Sequence, residues 1–208
     1  MTHERDLETS ERLLQYWFGM DPSDPAGLAQ CKKRWFTGGP EVDRQITARY
    51  AALLAAADRG ELRGWEASAR GRLALVLLFD QFPRNIFRGS GEAFAYDARA
   101  FELAESGIAL GLDRSLAPIE RIFFYMPYQH SEAPAAQERS VQLFESLVAQ
   151  EAAQHIGETL RGFAGYARRH AEIVARFGRF PHRNRSMNRR STSEEEAFLR
   201  DGGPTFGQ

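Results

Sequence analysis

Seven apolar residues, Leu73 to Phe79, run without a break into Asp80-Gln81-Phe82-Pro83-Arg84-Asn85. Such a run has to be buried, so the acid, the two amides and the guanidinium that follow it sit at the edge of a core and need partners there. Ala69, Leu73, Val76, Leu77 and Asp80 share one side of a helix, and Leu75, Leu78 and Phe79 cover the rest. This predicts a helix buried nearly all round. A strand over Leu73–Phe79 is the alternative, but few comparable β-rich runs exist elsewhere for it to pair with. Pro83 lacks a backbone donor and Gly89 and Gly91 loosen the chain, so the helix is expected to stop near Asp80.

The remaining apolar positions recur at three- and four-residue steps. Asp6–Phe18 reads as a helix stopped by Gly19, followed by a turn-rich linker, Asp21-Pro22-Ser23-Asp24-Pro25. A short element carries Lys32, Lys33, Arg34, Trp35 and Phe36, with both aromatics expected in the core, and Thr37-Gly38-Gly39-Pro40 breaks the chain again. Val42, Ile46, Tyr50, Leu53, Leu54 and Ala57 mark a helix from Glu41 to Arg59. Further helices are predicted over Phe94–Leu110, Ile119–Met126, Pro134–Ala153 and Ile156–Arg176, with Pro127 interrupting the second. Ser193-Glu194-Glu195-Glu196 reads as a capping box for a last short helix that Gly202-Gly203-Pro204 ends. The expectation is a single all-α domain over residues 1–200, built as a stack of antiparallel helical hairpins, with a flexible extension at 201–208.

Composition narrows the functional classes. A chain of 208 residues can bury one sizeable core, and a net charge of −1 gives no general pull toward nucleic acid or an anionic membrane. Arg179, Arg183, Arg185, Arg189 and Arg190 form the most basic stretch, but no recognised nucleic-acid module accompanies them. One cysteine, Cys31, excludes an internal disulfide and a thiol-built zinc site. The N-terminal residues carry acids and no apolar signal core, and no apolar run is long enough to span a membrane. A cytoplasmic protein is expected.

Two polar clusters carry the chemistry. In the first, Arg84 offers a planar donor fork suited to a carboxylate or phosphate, Gln81 and Asn85 each donate and accept, and Asp80 either orients Arg84 or receives a proton. In the second, Tyr128-Gln129-His130-Ser131-Glu132 follows Pro127. His130 exchanges a proton near neutral pH, and Glu132 or Asp80 is its expected orienting partner. A structural reading stands beside this one: His130 satisfied by a backbone carbonyl, and Glu132 balancing Arg139 or Arg84. Ser131 lies in no nucleophile motif and reads as a cap, and the absence of an HExxH pattern or a local histidine pair points away from metal. Phe177-Gly178-Arg179-Phe180-Pro181-His182-Arg183-Asn184 echoes the first cluster one residue out of register. The echo suggests two similar helix exits facing one cleft, with Arg84 and Arg183 near each other and His130 and His182 beside them.

LLQYWFG from Leu13, LVLLFDQFPRNIFRG from Leu75, FFYMPYQHSE from Phe123, QERSVQLF from Gln137, FGRFPHRN from Phe177 and RSTSEEEAFL from Arg190 together resemble the DUF924 family, which is uncharacterised. The resemblance implies an all-α, tetratricopeptide-like fold. It places the family's motifs on Asp80, Gln81, Pro83, Arg84 and Asn85, on Tyr125, Pro127, His130, Ser131 and Glu132, and on Phe180, Pro181, His182, Arg183 and Asn184. Where relatives commonly have an apolar stretch leading to Gly-Arg, this chain has Arg185-Ser186-Met187-Asn188-Arg189. The functional expectation is a cleft for a small anionic metabolite, with Asp80, Gln81, Arg84, Asn85, Tyr125, Tyr128, His182, Arg183 and Asn184 as ligand contacts. The alternatives are a scaffold for an acidic peptide segment and a metal-independent hydrolase or group-transfer enzyme using His130 and Glu132. No cofactor, nucleic-acid or membrane partner is expected, and no oligomeric state is implied.

Overall fold

The computed structural model describes residues 2–19, 24–151 and 156–206. Among these residues the regular structure is helical throughout, with no strand. Helix α1 spans Thr2–Phe18 and buries Leu13, Leu14, Trp17 and Phe18. Of the linker expected after it, Asp21, Pro22 and Ser23 lie outside the described residues. Asp24 caps α2 (Pro25–Thr37) by accepting from the Ala26 and Gly27 amides at 3.3 and 2.9 Å. The expected short element is therefore a full helix. The break after it shrinks to Gly38, because α3 (Gly39–Asp58) starts at once. Ile46, Tyr50, Leu54 and Ala57 form the buried stripe of α3.

Helix α4 (Ala69–Val76) is buried at nearly every position from Gly71 onward, and Ser68 caps it by accepting from the Gly71 amide. The helix does not end at Asp80 as expected. It widens into one π-helical turn, Leu77–Gln81, and continues as α5 (Phe82–Ile86) with Pro83 in its first turn. The wide turn explains the tolerance: the Phe82 amide reaches back to the Leu77 carbonyl, and a proline is accommodated in the opening turn of the following helix. The buried Arg72 ties α4 to α6 (Asp97–Ala109), donating to the Leu103 carbonyl and to Ser106 Oγ at 2.6 Å.

Helix α7 (Pro118–His130) also overrides a sequence expectation, because Pro127 lies inside it rather than ending it. Every residue from Ile122 to Gln129 is buried, so packing on all sides holds the turn that Pro127 cannot hydrogen-bond. Tyr128, Gln129 and His130 are consequently the last residues of a helix and not a loop. Helix α8 (Pro134–Glu151) and α9 (Gly157–Phe177) follow, and α8 packs most extensively on α9 and next on α7. The expected end of α8 at Ala153 lies outside the described residues. A 3-10 turn at Pro181–Arg183 leads to α10 (Ser193–Arg200). Its cap is Thr192, one residue earlier than expected, with Glu195 closing the box. None of the helices described is long and apolar enough to cross a membrane.

The core is largely aromatic at one end. Trp17, Phe82 and Phe123 converge, with ring centroids 5.3 and 5.7 Å from Trp17, and Trp35 lies 4.7 Å from Phe123. Trp35 anchors itself by donating Nε1 to the Trp17 carbonyl at 3.0 Å. Its neighbour Phe36 departs from the expected core position and stands 58% exposed.

Candidate functional site

The π-helical turn and α5 aim Asp80, Gln81, Arg84 and Asn85 toward the last turn of α7. Asp80 is fully buried, and its Oδ1 lies 2.6 Å from His130 Nδ1. Its Oδ2 accepts from Gln81 Nε2 at 2.5 Å. Burial alone would push this carboxyl up, but protonated His130, the Arg84 guanidinium and the Gln81 amide outweigh it, and Asp80 lies below the usual carboxylate range. Burial dominates at His130 and lowers its pKa despite the opposing pull of Asp80. The pair at neutral pH is thus an ionised carboxylate and a neutral imidazole. A carboxylate only accepts, so Nδ1 carries the proton and the Nε2 lone pair is left over.

Arg84 forms a bidentate pair with Asp97, at 2.9 and 3.1 Å, donates to the Asp80 carbonyl and lies 3.5 Å from the Asp80 carboxylate. Arg183 comes from the 3-10 turn after α9 and reaches the same carboxylate, 3.5 Å from Asp97 Oδ2, while donating to the His130 carbonyl at 2.9 Å. Its guanidinium lies between two rings, 4.7 Å from Phe94 and 4.5 Å from Phe180. Burial and the neighbouring Arg84 bring the Arg183 pKa down to about 10, against the pull of Asp97, so it remains a cation at neutral pH. Arg84 Nε and Arg183 Nε are both buried without a hydrogen-bond partner among the described residues.

Of these groups, Gln81, Arg84, His130 and Arg183 border a cavity of ≈ 580 Å³. The α2–α3 junction contributes Arg34 to Pro40 and Asp43, the π-helical turn and α5 with the residues after it contribute Gln81, Arg84, Asn85 and Arg88, and α7 contributes Met126, Gln129 and His130. Phe163, Tyr166 and His170 of α9, His182 and Arg183, and Phe206 close the remaining sides. Asp43 neutralises Arg88 at 2.7 Å and accepts from Asn85 at 2.8 Å. Burial brings His170 and His182 down to about 3, with His130 adding to the effect at His170 and Arg183 at His182. Both are neutral near pH 7.

The structure therefore brings Gln81, Arg84, Asn85, His130, His182 and Arg183 to one cavity, with Asp80 directly behind His130. Tyr125 and Tyr128 are elsewhere. Tyr125 donates to Asp113 at 2.5 Å and Tyr128 packs its ring 4.6 Å from Phe101, both buried away from the cavity because α7 turns those positions toward α6 and the core. Glu132 is not the partner of His130, Arg139 or Arg84. It pairs bidentately with Arg189, at 2.6 and 2.9 Å, and accepts from the Phe180 amide. Asn184 does not line the cavity either. It accepts from Arg189 Nε and donates to Ser191 and Glu195, which ties the turn after α9 to α10. Just before Arg189, Asn188 adopts φ 53, and asparagine is among the few side chains that tolerate this region. Ser131 caps locally, accepting from the Ala133 amide at 3.2 Å.

Sequence reasoning missed Asp97, His170 and Phe206 as residues of this site. No local pattern marks Asp97, whose two arginines lie 13 and 86 positions away in the chain. Phe206 comes from the expected extension, of which residues 207 and 208 lie outside the described residues. It stacks on His170 with ring centroids 3.7 Å apart. Among the described residues no group of three His, Cys, Asp or Glu side chains is placed to hold a metal ion.

The chain is similar to a solved structure. The structure of a protein of unknown function, ATU0120 from Agrobacterium tumefaciens, superposes with a TM-score of 0.79 at 34% identity, covering 94% of this chain and 99% of that one. No curated protein matches the chain. A family model described as a bacterial protein of unknown function, DUF924, matches residues 13–203. The buried arginines, the Asp80–His130 pair and the turn that carries Arg183 all fall inside that match, and the chain belongs to the DUF924 family.

Proposed function

We propose that the cavity binds a small anionic metabolite. The observation that carries this reading is the pair of buried arginines, Arg84 and Arg183, which border one cavity and share the single carboxylate of Asp97. The charge balance points the same way. The cavity lining and its ion partners hold the guanidinium groups of Arg34, Arg84, Arg88 and Arg183 against the carboxylates of Asp43, Asp80 and Asp97. Arg34 donates to the Tyr16 and Trp17 carbonyls and has no carboxylate partner among the described residues. With the three histidines neutral, one positive charge is left for a ligand. The volume lies in the range of small-molecule sites. Convergence of both arginines on one point supports a compact ligand over an acidic peptide segment, which would need an extended run of contacts. This reading takes the protein as cytoplasmic and its helices as a tetratricopeptide-like stack, for which the consecutive packing of α7 on α8 and α8 on α9 is the supporting feature.

A thermal-shift panel of acetate, succinate, benzoate and inorganic phosphate tests it, each at equal ionic strength against chloride. A ligand at tenfold excess over its Kd raises stability by about 1.4 kcal/mol, or roughly 3–6 °C in a chain of this size. The rise should vanish in Arg183→Ala, in which Asp97 still keeps Arg84 as its partner. No response to any of the four, or an equal response in Arg183→Ala, contradicts the proposal.

The Asp80–His130 pair favours a second reading, in which the bound anion is also a substrate. His130 is fixed with Nδ1 protonated and borders the cavity, so Nε2 is available as a general base. It would take a proton from water as the oxygen bonds to an electrophilic carbon of the ligand, then return it to the leaving group as that bond breaks. Once a metabolite screen finds turnover, His130→Gln should lose at least about a hundredfold in kcat. Full kcat in a folded His130→Gln protein removes His130 from the chemical step.

A further inference from the structure

We infer that the ligand of this cavity is a planar aromatic monocarboxylate, with its carboxylate at Arg84 and Arg183 and its ring on the aromatic wall beyond them. The inference rests on the anion-binding reading and adds to it the chemistry of the rest of the ligand.

The first observation is the exposed apolar surface. Among the described residues the large apolar side chains that stand exposed are Phe36, Leu110, Tyr166 and Met187, and two of these, Phe36 and Tyr166, border this one cavity. Exposed rings at the mouth of a cavity that ends in buried cations make an amphipathic slot, apolar outside and charged inside.

The second is the continuity of the wall. Behind the lining, the buried Phe180 ring lies 4.5 Å from the Arg183 guanidinium and 5.4 Å from His170, and in the lining Phe206 stacks on His170 at 3.7 Å with its plane tilted by 22°. Tyr166 continues the series 6.4 Å from Phe206. His170 and His182 are held neutral by burial, so their rings act here as flat apolar surfaces and not as cations. The stack of Phe206 on His170 sets two flat rings face to face in the cavity lining. A saturated ring of similar size presents no such face.

The third is charge. Summed over the whole lining, the one excess positive charge, contributed by Arg34, matches a monocarboxylate, whereas a phosphate monoester brings nearly two negative charges at neutral pH.

Isothermal titration of the full chain at pH 7 with benzoate, cyclohexanecarboxylate, acetate and phenyl phosphate tests the inference. Benzoate should bind at least tenfold more tightly than each of the other three. In Tyr166→Leu, a change at an exposed rim position, the preference for benzoate over cyclohexanecarboxylate should fall below threefold. Equal affinity for benzoate and cyclohexanecarboxylate, or tighter binding of phenyl phosphate, overturns the aromatic monocarboxylate assignment and leaves the anion-binding reading standing. A preference for benzoate that Tyr166→Leu and Phe36→Leu both leave intact overturns the placement of the ring. Absence of heat with all four anions overturns both readings together.

Discussion

Asp80 supports three neighbours at once, and its loss is the most damaging single change in the site. It accepts from Gln81, fixes the tautomer of His130 and lies beside Arg84, all without solvent contact. Asp80→Asn keeps the shape but leaves Arg84 dependent on Asp97 alone. We predict a loss of about 3 kcal/mol in urea unfolding at pH 7, the scale for breaking a buried ion pair. His170 makes a sharper test by pH. Its folded pKa of about 3 lies below the unfolded value near 6.5, so the unfolded chain binds a proton that the folded chain does not. Its contribution to stability is complete above pH 6.5 and is lost as pH falls toward 3. His170→Phe should therefore reduce the slope of stability against pH near pH 5 by about 1.4 kcal/mol per pH unit, read from urea midpoints at pH 4.5 and 5.5. Residue types alone named Arg84, His130 and Arg183 as chemistry-bearing, because an arginine or histidine beside a long apolar run must find partners. They could not name Asp97 or exclude Tyr125, since both questions depend on which helix packs against which.

The helical run from α4 through α5 and helix α7 each carry a proline that sequence rules assign to a break, and neither breaks. In the first the cost is absorbed by the π-helical turn, which is what points Asp80 and Arg84 at the cavity. In α7 it is absorbed by burial on all sides. The extra width of a π-helical turn has no local sequence signature, so the direction of Asp80 was not readable in advance although the burial of its helix was. The contact between α6 and α7 depends on Gly107. A methyl group at that position would lie 2.5 Å from the Phe124 ring and 2.7 Å from the Arg72 side chain, both buried. Alanine is the better helix former by about 1 kcal/mol. Overpacking nevertheless should win, and Gly107→Ala is predicted to lower stability by about 1–2 kcal/mol in chemical unfolding. The turn before Arg189 behaves differently. Asn188 already sits in the left-handed region, so Asn188→Gly should be tolerated within about 0.5 kcal/mol and leave the Glu132–Arg189 pair in place.

The all-helical class followed directly from three- and four-residue periodicity, and the structure bears it out. Of the cavity, the Phe-Pro echo associated only the α5 exit with the turn after α9; the α2–α3 junction, the middle of α9 and the chain beyond α10 also line it, and no local pattern associates those segments. What the assembled molecule offers is a cavity with cationic guanidinium groups inside and rings at its mouth. The most direct test reads those guanidinium groups themselves. In a protein labelled with 15N-arginine, the buried Nε–H groups of Arg84 and Arg183 should give resolved, slowly exchanging signals, assigned through Arg84→Lys and Arg183→Lys. Acetate, benzoate and inorganic phosphate are then added in turn against a chloride control. The account predicts that at least one of these anions shifts both Nε–H signals saturably, in step with each other, while chloride at the same ionic strength does not. Signals from Arg84 and Arg183 that stay fixed under all three anions, or that move only as those of the exposed arginines move, would contradict it.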